Sequence, residues 1–168
     1  MEPLEMAIKM EIEGKEFYQK ASQKASDKLG KELFARLAQE EDFHAAKARE
    51  ISDFLKRGES PLAIEESLDQ AQKLNSIFAR AKKEIQAKRQ ISSSELKAIE
   101  IALDMEEKSR KFYEDQSAIA RTDFEKRFFK AVKQEERGHY LSLVSYREYM
   151  VDPAGWFARS EHISLDGG

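Results

Sequence analysis

The sequence predicts an all-α protein: a bundle of four long helices made from two duplicated helix pairs, with a long helical crossover between the pairs and a short C-terminal tail. Three observations lead there. Apolar residues recur at the helical period with no convincing strand alternation. Proline and glycine are scarce, at three and seven in 168 residues. The two halves of the chain repeat each other at a fixed offset of 95 residues.

The first helix is expected from about Leu4 to about Ala25, with Leu4, Ile8, Glu11 and Tyr18 along one stripe. A turn at Asp27 to Gly30 leads into the second helix. There Phe34, Leu37, Glu41, His44, Ala48, Ile51 and Leu55 step by three and four in turn, the spacing of a single buried seam. Gly58 suits the position just past a helix end, and Ser60-Pro61 offers an N-cap and a first-turn proline for a new segment. Residues 62–89 read as a mostly helical crossover, with Leu62, Ile64, Leu68, Leu74, Ile77, Phe78 and Ile85 scattered through charged sequence.

Ser92-Ser93-Ser94-Glu95 fits the capping box that opens a helix, here running to about Ala118 and carrying Ile99, Leu103, Glu106 and Tyr113 on one stripe. Thr122-Asp123-Phe124-Glu125 repeats the signal for the last long helix. Its seam is Phe129, Val132, Glu136, His139, Leu143, Tyr146 and Met150, and it should end near Met150 or Val151, before Asp152-Pro153 and Gly155. The division expected is a bundle over 1–151 (first pair 1–57, crossover 58–92, second pair 93–151) and a tail over 152–168. In the tail, Trp156-Phe157 should dock aromatic area on the bundle, while Asp166-Gly167-Gly168 should be mobile.

The repeat is ungapped. Ala7-Ile8-Lys9-Met10-Glu11 with Phe17-Tyr18 matches Ala102-Leu103-Asp104-Met105-Glu106 with Phe112-Tyr113, and each seam carries Glu-x-x-His. Two copies of one αα-hairpin explain this, and their short turns make each pair antiparallel. Four Glu and two His thereby face the interior: Glu11, Glu41, His44, Glu106, Glu136 and His139. Burying an unpaired carboxylate costs several kcal/mol or forces a proton onto it, so a Glu with a His one turn away in a core points to a shared metal.

Composition closes other routes. A net charge of −3 with both signs interspersed gives no electrostatic case for nucleic acid or anionic membrane. No apolar run is long enough to cross a bilayer and no secretion signal is visible, so a cytoplasmic location is expected. With no cysteine, disulfide, thiolate-zinc and rubredoxin-type iron centres are excluded within this chain, leaving oxygen and nitrogen ligands. Such a set suits iron or manganese; zinc would bind without redox chemistry.

At these residues the sequence resembles the rubrerythrin and bacterioferritin branch of the ferritin-like superfamily. Ala-Ile…Glu…Gly…Phe-Tyr with Gln-Glu-Glu-x-x-His is most similar to the rubrerythrin-type diiron domain, over roughly residues 4 to 150. The resemblance implies a ferritin-like four-helix bundle in which Glu11, Glu41, His44, Glu106, Glu136 and His139 hold two iron ions, with Glu41 and Glu136 bridging, and serve as the catalytic centre. Manganese or zinc would be substitutes. Two departures stand out. Ser109 occupies the place where rubrerythrins carry an extra carboxylate, and the cysteine-rich rubredoxin domain is missing, so electrons must come from an external donor such as a rubredoxin or a flavoprotein. Two divalent ions would balance four carboxylates, leaving a neutral site in a dry core.

The function expected is a diiron oxidoreductase that reduces hydrogen peroxide or dioxygen in oxidative-stress defence. The alternatives are a ferroxidase or iron-handling protein, and a metal-stabilised bundle without turnover. A homodimer is expected, with exchange of helix pairs through the crossover as one arrangement. For several residues two readings stay open. Tyr18 and Tyr113 either pack in the core or bond a ligand carboxylate, and the small residues Gly14 and Ser109 either leave space for an oxidant or allow close backbone packing. Gln39, Glu40, Gln134 and Glu135 read mostly as a solvated face, with outer partners of the ligands as the other reading for some of them; His162 reads as a surface residue, and Met10 and Met105 as core filler.

Overall fold

The computed structural model describes residues 1–59, 77–78 and 92–165, with side chains described up to residue 159. Its helices are α1 (Pro3–Lys24), α2 (Lys28–Lys56), α3 (Ser93–Ile119), α4 (Asp123–Val151) and α5 (Pro153–Leu165). No strand occurs among the described residues. The Ser60-Pro61 start signal and the crossover expected over 62–89 lie outside them except for Ile77 and Phe78, which are helical. The Asp166–Gly168 end and the side chain of His162 also lie outside them.

Each helix starts where a side chain can satisfy the amide groups left free at its first turn. Asp27 accepts from the Gly30 amide at 3.0 Å, so α2 begins at Lys28 and only residues 25–27 separate it from α1. The turn expected over Asp27 to Gly30 is therefore shorter than the sequence suggested, and Gly30 belongs to the helix. Ser92 with Glu95 and Thr122 with Glu125 form the anticipated capping boxes of α3 and α4. Ser26 also donates to the Glu95 carboxylate through its hydroxyl and, at 3.0 Å, its amide, tying the start of α3 to the α1–α2 turn. Gly58 sits at φ +70° just past α2, a backbone state that glycine takes without the penalty of a Cβ.

The tail is a helix, which the sequence reading left undescribed. Asp152-Pro153 is both a stop and a start: Asp152 accepts from the Gly155 amide at 3.0 Å and Pro153 fills the first helical position. Trp156 is buried as expected, against Tyr149 and Phe78, with its indole N–H donating to Ser145 Oγ at 3.0 Å.

The helices pack as α1 on α2 and α3 on α4, with α2 meeting α4 and α1 meeting α3 across the bundle, and α5 against α4. Two apolar clusters result. One contains Tyr18, Leu33, Phe34, Leu37, Ile99, Leu103, Leu143 and Tyr146; the other contains Leu4, Ala7, Ala48, Ile51, Tyr113, Phe128, Phe129 and Val132. On every long helix the inward polar residues fall between a member of one cluster and a member of the other. Glu41 and His44, for example, lie between Leu37 and Ala48. Each fully buried Leu, Ile or Phe contributes about 1.5–3 kcal/mol, so the clusters hold a polar layer at mid-bundle that would not assemble for its own sake. None of the described helices is long and apolar enough to cross a membrane.

Candidate metal centre

All six inward residues meet in that layer, and each is at most 4% exposed. Glu11, Glu41, His44 and Glu136 bring one ligand atom apiece within 4.8 Å of one another, and Glu41, Glu106, Glu136 and His139 do the same. Glu41 and Glu136 belong to both groups, so two ions held there would share them. The imidazoles stack at 5.7 Å and each turns Nδ1 toward the carboxylates. His44 Nδ1 lies 3.2 Å from Glu11 and 3.6 Å from Glu136. His139 Nδ1 lies 3.1 Å from Glu41, 3.5 Å from Glu106 and 3.7 Å from Glu136.

The donor set fits a pair of cations. Buried polar atoms nearly always have a hydrogen-bond partner, yet among the described residues Glu106 Oε2, Glu136 Oε1 and His139 Nδ1 have none. All three belong to the two groups. Burial and the charges of Glu11 and Glu136 push the Glu41 carboxyl well above the usual carboxylate range. Burial and the charges of Glu106 and Glu11 do the same to Glu136. Burial acts the same way on Glu11, but its hydrogen bond with Glu41 and the charge of His44 outweigh it and hold Glu11 below the ordinary value. On His139, burial favours the neutral ring and is outweighed by Glu106, Glu40 and Glu41, so it is raised well above the usual imidazole value. Without a cation the layer keeps protons that a cation would displace.

The tyrosines bond carboxylates of these two groups, and they do so across the repeat. Tyr18 on α1 donates to Glu106 on α3, and Tyr113 on α3 donates to Glu11 on α1. Burial first, then the charge of the carboxylate each one bonds, raises both phenols well above their ordinary value, so both stay protonated.

Gly14 and Ser109 are repeats of each other that act differently. A Cβ at Gly14 would come within 3.3 Å of Glu41 Oε2, so glycine gives that carboxylate its room, whereas the Ser109 side chain lies near enough to Glu136 to favour its ionised form slightly. Both line a cavity of about 220 Å³ that also reaches Tyr18, Glu41, Glu106 and Glu136. Met10 and Met105, taken from the sequence as core filler, line it too, with exposed Glu13 and Lys108.

Glu40 takes the second reading open to it, an outer partner of an inward residue. It is 1% exposed rather than solvated, with Oε2 2.7 Å from His139 Nε2 and Oε1 accepting from Arg36 Nε at 2.8 Å. Burial raises its pKa, but His139 and Arg36 outweigh that and keep it below the ordinary value. Glu135, the repeat of Glu40, is half-buried and groups with Glu40 and His139. The signal for Glu40 was Arg36 four residues earlier, placed to neutralise a carboxylate on the inner edge of the helix.

The family model described as rubrerythrin matches residues 2–146. No curated protein and no solved structure gave a match to the chain.

Proposed function

The chain belongs to the rubrerythrin family, and from that premise we propose that it is a diiron oxidoreductase reducing hydrogen peroxide, with dioxygen as a second oxidant and electrons from an external donor. Glu11 and His44 would hold one iron, Glu106 and His139 the other, and Glu41 and Glu136 both. When bound, the iron pair supplies the two electrons that cleaving the O–O bond of peroxide requires.

The observation that carries this reading is the cavity: it brings solvent-accessible space to Glu41, Glu106 and Glu136 inside an otherwise apolar interior. At about 30 Å³ per water it has room for several water-sized molecules, enough for hydrogen peroxide or dioxygen to reach the carboxylates. Tyr18 lines it and keeps a phenol proton beside Glu106; Tyr113 does not line it. Ser109 lines the cavity beside Glu136, and Gly14 leaves Glu41 space to shift. With no cysteine in these 168 residues, no rubredoxin-type centre within them feeds the site, and the proposal assigns the electrons to a separate protein or small reductant.

Stopped-flow mixing of the ferrous-loaded protein with peroxide and, separately, with dioxygen tests the proposal. The expected result is faster oxidation by peroxide with the iron retained. Release of oxidised iron would favour an iron-handling protein instead. No oxidation by either would leave a metal-stabilised bundle.

A further inference from the structure

From the ligand Glu106 a file of aromatic rings runs through the first apolar cluster to the last helix. Tyr18, bonded to Glu106, stacks on Phe34 with ring centroids 6.1 Å apart. Phe34 meets Tyr146 edge-on at 5.7 Å, Tyr146 stacks on Tyr149 at 6.4 Å, and Tyr149 meets Trp156 at 5.4 Å. Tyr18, Phe34, Tyr146 and Trp156 are buried, and Tyr149 is half-buried.

The duplication provides a comparison within the same chain. Tyr113 and Phe129 repeat Tyr18 and Phe34 and also lie together, at 6.0 Å. Beyond them the halves diverge: Ile51 stands where the other half has Tyr146, and Phe54 where it has Tyr149. The rings around Tyr113 are Phe112, Phe128 and Phe129, none of which gives up an electron readily. Ile51 is 1% exposed and fills its place well, so packing by itself does not require a tyrosine at the matching position.

Tyr146 has what an oxidisable phenol needs, an acceptor for its proton. Its hydroxyl donates to Asp27 Oδ1 at 3.0 Å, the same oxygen that caps α2. A Cβ at Gly30 would overlap that hydroxyl, so the glycine is what lets the phenol reach the carboxylate.

We propose that this file is an outlet for oxidising equivalents, ending on Tyr149 and Trp156; it rests on the reading that the centre reduces peroxide. Hydrogen peroxide takes up two electrons and two protons and yields two waters. Where the site can deliver only one electron, the second leaves Trp156 or Tyr149 and travels through Tyr146, with Tyr18 and Phe34 as the bridge. While Tyr146 is oxidised its phenol proton rests on Asp27, and it returns when an electron arrives from Tyr149. As the electron leaves, the Tyr149 phenol proton or the Trp156 indole proton passes to solvent, and an external one-electron reductant of the ascorbate class restores the electron while solvent returns the proton. Oxidising power thus leaves the ligand carboxylates and imidazoles intact.

The test uses iron-loaded protein, half-reduced and mixed with hydrogen peroxide. Samples are frozen for electron paramagnetic resonance or spin-trapped for peptide mass spectrometry, with iron oxidation followed by absorbance in parallel. The expected result is an organic radical that ascorbate quenches, with adducts on Trp156 or Tyr149. In Tyr146→Phe, which keeps the ring, iron content and iron oxidation should match wild type while those adducts fall to background. Equal adducts in Tyr146→Phe and wild type would overturn the proposal, because peroxide would then be reaching the rings from solvent. So would iron oxidation in wild type with no adduct at either residue. Iron that stays ferrous in peroxide sinks the peroxide-reducing reading, and the outlet with it; the other two outcomes sink the outlet alone.

Discussion

Glu40 Oε2 lies 2.7 Å from His139 Nε2, whereas among the described residues His44 Nε2 has no hydrogen-bond partner. The two halves of a duplicated site therefore support their imidazoles differently. Arg36 neutralises Glu40, and the residue that repeats Arg36 is Ala131, so the supporting carboxylate has a cationic neighbour four residues before it in one half only.

This asymmetry predicts two unequal binding steps for divalent metal. Groups that orient a ligating histidine typically change metal affinity about 10–100-fold when removed. In anaerobic titration calorimetry with Fe(II) or Mn(II), Glu40→Ala should weaken one equivalent by about that factor and leave the other nearly unchanged. Two equivalents unchanged in Glu40→Ala would remove the supporting role.

Gly14 sets two effects against each other. Replacing glycine by alanine inside a helix ordinarily stabilises by about 1 kcal/mol, but the new Cβ would press on Glu41 Oε2 at 3.3 Å. Gly14→Ala should accordingly melt at or above the wild-type temperature without metal, yet bind metal more weakly and react more slowly with peroxide. Unchanged metal affinity would show that the room beside Glu41 is not needed.

The crossed tyrosines separate support from access. Each donates to a buried carboxylate, a bond worth about 1.5–3 kcal/mol when the acceptor is charged. Tyr18→Phe and Tyr113→Phe should therefore lower stability by similar amounts. Only Tyr18 lines the cavity, so only Tyr18→Phe should also slow peroxide reduction. Equal slowing in both variants would place the phenols in a purely supporting role.

For metal-free protein the pH dependence has a definite sign. Glu41 and Glu136 have folded-state values raised above 4.5, so their folded forms favour the proton and stability falls as pH rises past the unfolded value. His139, raised above 6.5, acts the same way: its contribution is complete below 6.5 and is lost as pH climbs through the folded value. Glu11, held below 4.5, opposes them only in acid, where its contribution disappears as pH falls. Melting curves with chelator should drop relative to metal-loaded protein from about pH 5 to about pH 8. Parallel curves across that range would contradict a carboxylate-rich buried layer.

The helical seams were readable because spacings of three and four put Glu41 and His44, and again Glu136 and His139, between apolar residues on one stripe. The convergence of both seams followed from the repeat. What a single stripe cannot show is which neighbouring helix a side chain meets. Tyr18 was therefore legible as inward but not as a partner of Glu106 on α3, and Glu40, at the edge of the stripe, looked solvated until α4 closed over it. The last helix was missed because Asp152-Pro153 both ends one helix and begins another.

The central claim is that six buried side chains form a site for two iron ions. Iron analysis with an absorption spectrum of protein loaded anaerobically and then oxidised, compared with Glu41→Ala and Glu136→Ala, tests it most directly. The account predicts about two iron per chain in the wild type, from its two ligand groups, and loss of both the iron and its charge-transfer absorption in either variant. Wild-type protein that takes up no iron, or variants that hold as much as the wild type with the same spectrum, would contradict it.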